Sequence, residues 1–104
     1  MMNLFESIGD ASQKELFETL LENKKVKIER ITTIGQTTPE GQWYDQEEDE
    51  FVLVLEGSAR VDYEDESTRL EKGDYLYIPA HKKHRVSWSD PDRVTLWLAI
   101  FIKP

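Results

Sequence analysis

Five apolar residues in unbroken succession, Phe51-Val52-Leu53-Val54-Leu55, lead through Glu56 to Gly57-Ser58. Such a run is too short for a helix core and suits a strand with apolar surroundings on both faces. Glycine adopts positive φ readily, so Gly57-Ser58 predicts a two-residue hairpin turn of type II′. Beyond it, Ala59, Val61 and Tyr63 alternate with Arg60, Asp62 and Glu64, the pattern of a half-solvated partner strand. That pair requires more strands to close around it.

The remaining chain offers them. Val26 to Ile34 is rich in β-branched residues and ends at Gly35; a loop with Pro39 and Gly41 follows, and Trp43 and Tyr44 restart extended chain. Short strands are predicted at Thr68–Leu70, Tyr75–Ile78, His84–Ser89 and Val94–Ile102, separated by Glu64–Ser67, Glu71–Asp74, Pro79 and Asp90–Asp92. About seven short strands with turn chemistry between them predict an all-β antiparallel sandwich or barrel. Ahead of them, Asn3 with Glu6 and Ser12 with Glu15 have the spacing of capping boxes. Leu16, Phe17, Leu20 and Leu21 fall on one helical stripe, which predicts an amphipathic helix over Gln13–Glu22 lying across the sheet. Residues 1–25 thus read as a helical segment and 26–104 as a β-barrel, together one domain.

Charge and composition remove several classes of function. A net charge of −8, with basic residues only in short pairs, argues against nucleic acid and against an anionic membrane surface. The absence of cysteine excludes disulfides and thiolate chemistry. No apolar run approaches the ~18 residues of a membrane span, and no basic stretch leads into an apolar core at the amino terminus, so a cytoplasmic protein is expected. The strands Phe51–Leu55 and Val94–Ile102 are apolar on both sides. A sandwich covers only one face of each, which predicts a homodimer over the other, with or without help from the amino-terminal helix.

Gly73-Asp74-Tyr75-Leu76-Tyr77-Ile78-Pro79-Ala80-His81-Lys82-Lys83-His84 resembles the second motif of the cupin superfamily, with His81 at the motif's second glycine and Trp88 at its closing asparagine. Glu50, six residues and Gly57 resemble the end of the first motif. The resemblance covers about half of the chain and implies a double-stranded β-helix, or jelly-roll barrel. Metal-binding cupins carry His-x-His ahead of the first-motif glutamate; here those places hold Tyr44 and Gln46, or Trp43 and Asp45. Of the usual three histidines and one glutamate, Glu50 and His84 remain.

If the chain stays extended, Tyr44, Gln46, Glu50, Val52 and Val54 share one face, as do His84, Val86 and Trp88. Two readings of Glu50 and His84 follow. One is a weak or degenerate divalent-metal site of His84, Glu50 and Gln46, joined by Tyr44 or water, for Zn, Mn, Ni or Fe. The other is a buried carboxylate–imidazole pair with no metal. Trp88 is expected to line the pocket, in a place the family points inwards, with Trp43, Tyr75 and Tyr77 as further candidates. His81 reads as a loop residue at the barrel mouth, and Asp45, Glu47, Glu48 and Asp49 as a solvated rim. The expected activity is binding of a small molecule in the barrel. The resemblance also implies alternatives: a metal-dependent oxygenase, isomerase or decarboxylase, or a structural or regulatory barrel.

Overall fold

A computed structural model describes residues 2–104. Eight strands follow one another: β1 (Leu16–Glu22), β2 (Val26–Thr33), β3 (Asp49–Glu56), β4 (Ser58–Tyr63), β5 (Ser67–Glu71), β6 (Tyr75–Ile78), β7 (His84–Ser89) and β8 (Thr95–Ile102). They form a five-stranded antiparallel sheet in the order β1-β2-β8-β3-β6 and a three-stranded one in the order β5-β4-β7. The core lies between the sheets. Val52, Val54, Trp97 and Ala99 of the larger sheet meet Ala59, Val61, Tyr63 and Leu70 of the smaller, with Ile78 of β6. Each of these strands sends alternate residues inwards, as the pleat dictates.

Three sequence expectations are corrected. The stretch predicted as an amphipathic helix is strand β1, and no helix is found among the described residues. Asn23 explains the entry into β2: its side-chain oxygen accepts from the backbone N–H of Lys25 and of Val26, at 2.8 and 3.0 Å, turning the chain through a tight connection. β1 then pairs along β2, with a register shift between Thr19 and Leu21. That shift leaves Phe17 on the inner face opposite Ile31 and brings Leu21 opposite Ile28 on the outer one. The four residues of the helical stripe are thus dealt to both faces of a strand.

Gly57-Ser58 does not close a hairpin either. β3 and β4 belong to different sheets, so this corner carries the chain from one layer to the other. Gly57 has φ of +95°, and a Cβ there would stand 2.5 Å from Thr95 Oγ1 and 2.7 Å from the Val94 carbonyl oxygen. The Thr95 hydroxyl fastens the corner, accepting from the Ser58 N–H and donating to the Ser58 carbonyl, at 3.2 and 3.1 Å.

The third correction concerns β7. It pairs with β4 in a register that matches Val61 with Val86 but Arg60 with Trp88, leaving Ser87 as an extra residue. Such a bulge reverses the facing of everything beyond it. His84 and Val86 therefore point into the barrel, while Trp88 lies on the outside beneath the Arg69 guanidinium, 5.0 Å above its ring.

The outer face of the larger sheet has two parts. Over β1 and β2 it is covered by the amino-terminal segment. Buried Arg30 donates to the carbonyls of Leu4, Glu6 and Ser7 at 2.7 to 3.2 Å and pairs with Glu18 at 2.8 Å. Over β3, β6 and β8 it is bare. Phe51, Leu53, Leu98 and Ile100 are only half-buried there, Tyr75 and Tyr77 are exposed, and Phe51 stacks on Tyr75 at 5.2 Å.

Candidate functional site

The barrel is not filled. A cavity of about 280 Å³ opens between the sheets. β2 contributes Glu29 and Ile31 to its wall, β3 Glu50 and Val52, β7 His84 and Val86, and β8 Trp97 and Phe101. Phe17 of β1, Val61 of β4, Ile78 of β6, and Glu15 and Tyr44 from the connecting segments complete it. Most of this wall is apolar. Its ionisable groups, among the described residues, are three carboxylates, one imidazole and one phenol.

Glu50 and His84 come together. His84 Nε2 stands 3.5 Å from Glu50 Oε1, both side chains being about nine-tenths buried. The other ring nitrogen, Nδ1, lies 2.9 Å from the Lys82 carbonyl oxygen. A carbonyl only accepts, so Nδ1 carries a proton. Nε2 then faces the carboxylate either as a second N–H or as a lone pair, and only the first is attractive. Burial opposes the charge, but the Glu50 carboxylate and the Lys82 carbonyl outweigh it and hold the His84 pKa above the ordinary imidazole value. The geometry favours the protonated form of the imidazole beside Glu50.

Neighbouring loops position it. Tyr44 exchanges backbone hydrogen bonds with His84 at 2.8 and 3.1 Å, and its ring lies 5.6 Å from the imidazole. Upstream, Thr38 and Gln36 bond to Val86 and Ser89, so segment 36–44 runs along the free edge of β7. Gln46 donates its amide N–H to Glu50 Oε1 at 3.1 Å. The acidic stretch is partly engaged: Asp49 accepts from the Ala80 N–H and Asp45 from His81 Nδ1, at 2.7 and 2.8 Å. His81 sits in an exposed turn with φ of +64°, a conformation glycine takes without strain.

Of the remaining expected pocket residues, Trp43, Tyr75, Tyr77 and Trp88 do not line the cavity. Tyr75 and Tyr77 lie on the outer sheet face, because their register partners Leu53 and Phe51 do. Trp88 is turned out by the bulge. In exchange the cavity holds Glu15, Phe17, Glu29 and Trp97, none of them assigned to the pocket from sequence. Glu29 carries a readable signal, since a carboxylate alternating with Ile31 and Lys27 in a β-branched strand shares their face. Glu15 has none, lying where a helical start was expected. It accepts from the Thr33 hydroxyl at 2.9 Å, and that oxygen in turn accepts from the Trp97 indole N–H at 3.1 Å.

A family profile for the cupin domain matches residues 31–101. The chain belongs to the cupin family. Among solved structures, this cupin is similar to a protein of Ralstonia eutropha JMP134 provisionally named a mannose-6-phosphate isomerase. The two are 42% identical with a TM-score of 0.94, over 100% of this chain and 98% of that one. It is also similar to a cupin superfamily protein of Desulfitobacterium hafniense DCB-2, at 22% identity and a TM-score of 0.80, covering 93% and 84% of the two chains. An RmlC-like cupin of Methanocaldococcus jannaschii with a double-stranded β-helix shares the fold at 17% identity and a TM-score of 0.71, covering 88% and 82%. The search of curated proteins found no match.

Many cupins hold a divalent metal, and this donor set does not fit one held tightly. Among the described residues no three His, Cys, Asp or Glu side chains are gathered closely enough for a metal ion. Gln46 turns an N–H, not its oxygen, towards Glu50. The Tyr44 phenol has its pKa raised by burial and by Glu15 and Glu50, which works against a phenolate ligand. The cupin fold keeps its barrel and, of the metal set, one carboxylate and one imidazole.

Proposed function

We propose that this cupin binds a small organic molecule in its barrel, with the polar end of the ligand at Glu50 and His84. One observation carries the reading: an open cavity of about 280 Å³ whose apolar walls converge on the buried Glu50–His84 pair. Binding sites of small molecules share this anatomy, concave and mostly apolar with a few fixed polar groups. Its volume lies near the lower end of such sites, so a compact ligand is expected. Glu50 and His84, with Gln46 and Tyr44, are at most a weak site for a divalent ion, since structural and catalytic zinc sites use three or four protein donors.

The pair supports a second reading, an enzyme. A carboxylate beside an imidazolium can take a proton from one substrate atom and return one to another, the work of an isomerase. The name of the 42% identical relative points the same way. Binding is preferred because it requires only the cavity.

The bare outer face over β3, β6 and β8 supports assembly as a homodimer: Phe51, Leu53, Leu98 and Ile100 share it with the exposed rings of Tyr75 and Tyr77, and large bare apolar patches are rare on monomers.

Thermal-shift measurement against a library of neutral and charged compounds, with Val86→Phe as control, tests the binding reading. Val86 faces the cavity, so phenylalanine fills space instead of displacing neighbours; unfolding stays within a few degrees of wild type and every stabilising compound loses its effect. Stabilisation that survives in Val86→Phe would place binding outside the barrel. Elemental analysis after loading with Zn or Mn and dialysis should find well below one ion per chain.

A further inference from the structure

We propose that the ligand of this cavity is a small organic cation, a primary amine or comparable monocation on a short apolar body. The inference rests on the reading that the barrel binds a small molecule, and adds the charge of that molecule. Glu15, Glu29 and Glu50 all line the cavity, and no lysine or arginine does. Two of the carboxylates already have partners. Glu50 faces His84, and Glu29 meets the Lys27 ammonium at 3.4 Å. Among the described residues Glu15 has neutral company, the Thr33 hydroxyl held by the Trp97 indole.

A partly buried carboxylate without a counter-charge is unfavourable, and burial pushes the Glu15 carboxyl up. Glu15 and Glu50 both raise the pKa of the Tyr44 phenol, so the two negative fields meet at one end of the cavity. An ammonium entering there would supply the absent positive charge and find carboxylates and the Tyr44 oxygen as acceptors, while its apolar body met Ile31, Val52, Val86 and Phe101. The size agrees: an engineered apolar cavity of about 150 Å³ holds benzene, so this one takes a phenylalkyl group. The carboxylates are also dispersed, with no three gathered for a metal ion among the described residues. Dispersed acceptors suit the several N–H donors of an organic cation. A phosphorylated sugar fits poorly, because its dianion would meet three carboxylates, while Lys27 and His84 are already engaged by Glu29 and Glu50.

Calorimetric titration of the full chain at neutral pH with three near-isosteres tests this: phenethylamine, 2-phenylethanol and phenylacetate. The amine should bind at least about tenfold more tightly than the alcohol, a difference of ~1.4 kcal/mol, and phenylacetate should give no heat. Glu15→Gln should reduce the amine to the affinity of the alcohol and leave the alcohol unchanged. It should also raise the unfolding temperature of the free protein, since it removes an unanswered charge, which confirms that the variant folds. Equal or tighter binding of the alcohol, of phenylacetate or of mannose 6-phosphate would overturn the cationic ligand and leave the small-molecule reading standing. No binding of any of them at millimolar concentration, with wild type and Glu15→Gln both folded, would overturn the two together.

Discussion

His84 is the residue on which the site turns, and its protonation has a consequence for stability. Its folded pKa lies above the value of about 6.5 expected unfolded, held there by Glu50 and the Lys82 carbonyl against the effect of burial. A base whose pKa is raised by folding adds stability that is complete below the unfolded value and disappears as pH rises through the folded one. Chemical denaturation should therefore show wild type losing stability from about pH 6.5 upwards, with the slope absent in His84→Gln. Removing the imidazole altogether, in His84→Ala, leaves Glu50 buried with only Gln46 and should cost about 3 kcal/mol. At this scale the sequence was legible where periodicity alone decides facing. Glu50, Val52 and Val54 project inwards as alternation predicts, and Glu50 with His84 could be paired through the family's motifs. Trp88 could not, because one extra residue at Ser87 reverses its facing and nothing in the local pattern marks a bulge.

Among elements, strands bounded by strong turn signals were readable almost to the residue. Tyr75–Ile78 and His84–Ser89 match β6 and β7, and Val26–Ile34 overlaps β2 closely. β1 was not, since Leu-Phe and Leu-Leu pairs satisfy a helical stripe and a bulged strand equally well. Its state is decided by pairing with β2, which caps an otherwise open sheet edge. The corner after β3 shows the same limit: a glycine marks a tight turn without saying which sheet the next strand joins. That corner is also the fold's least tolerant point. Gly57→Ala meets both positive φ and contacts as short as 2.5 Å with Thr95. It should lower stability by about 3 kcal/mol or more in urea titrations, whereas Gly41→Ala, with open space around the site, should cost only the strain of its positive φ, ~1 kcal/mol.

For the whole molecule, the two faces of the larger sheet have different tasks: the inner one bounds the cavity and the outer one offers an apolar surface. If that surface joins two copies, sedimentation at micromolar concentration should give a species of twice the 12.2 kDa chain mass. Tyr77→Lys together with Phe51→Lys should return it to a monomer with the cavity's binding unchanged. A 12 kDa species at all concentrations would leave the outer face without this role. The barrel reading does not depend on that outcome; it depends on Glu50 and His84 meeting inside as a charged pair. The most direct measurement is an NMR titration of the His84 ring in wild type and in Glu50→Gln. The account predicts a wild-type midpoint above the ordinary imidazole value, a protonated Nδ1 throughout, and a clear fall in the midpoint when Glu50 loses its charge. A midpoint at or below the ordinary value, indifferent to Glu50→Gln, would contradict it.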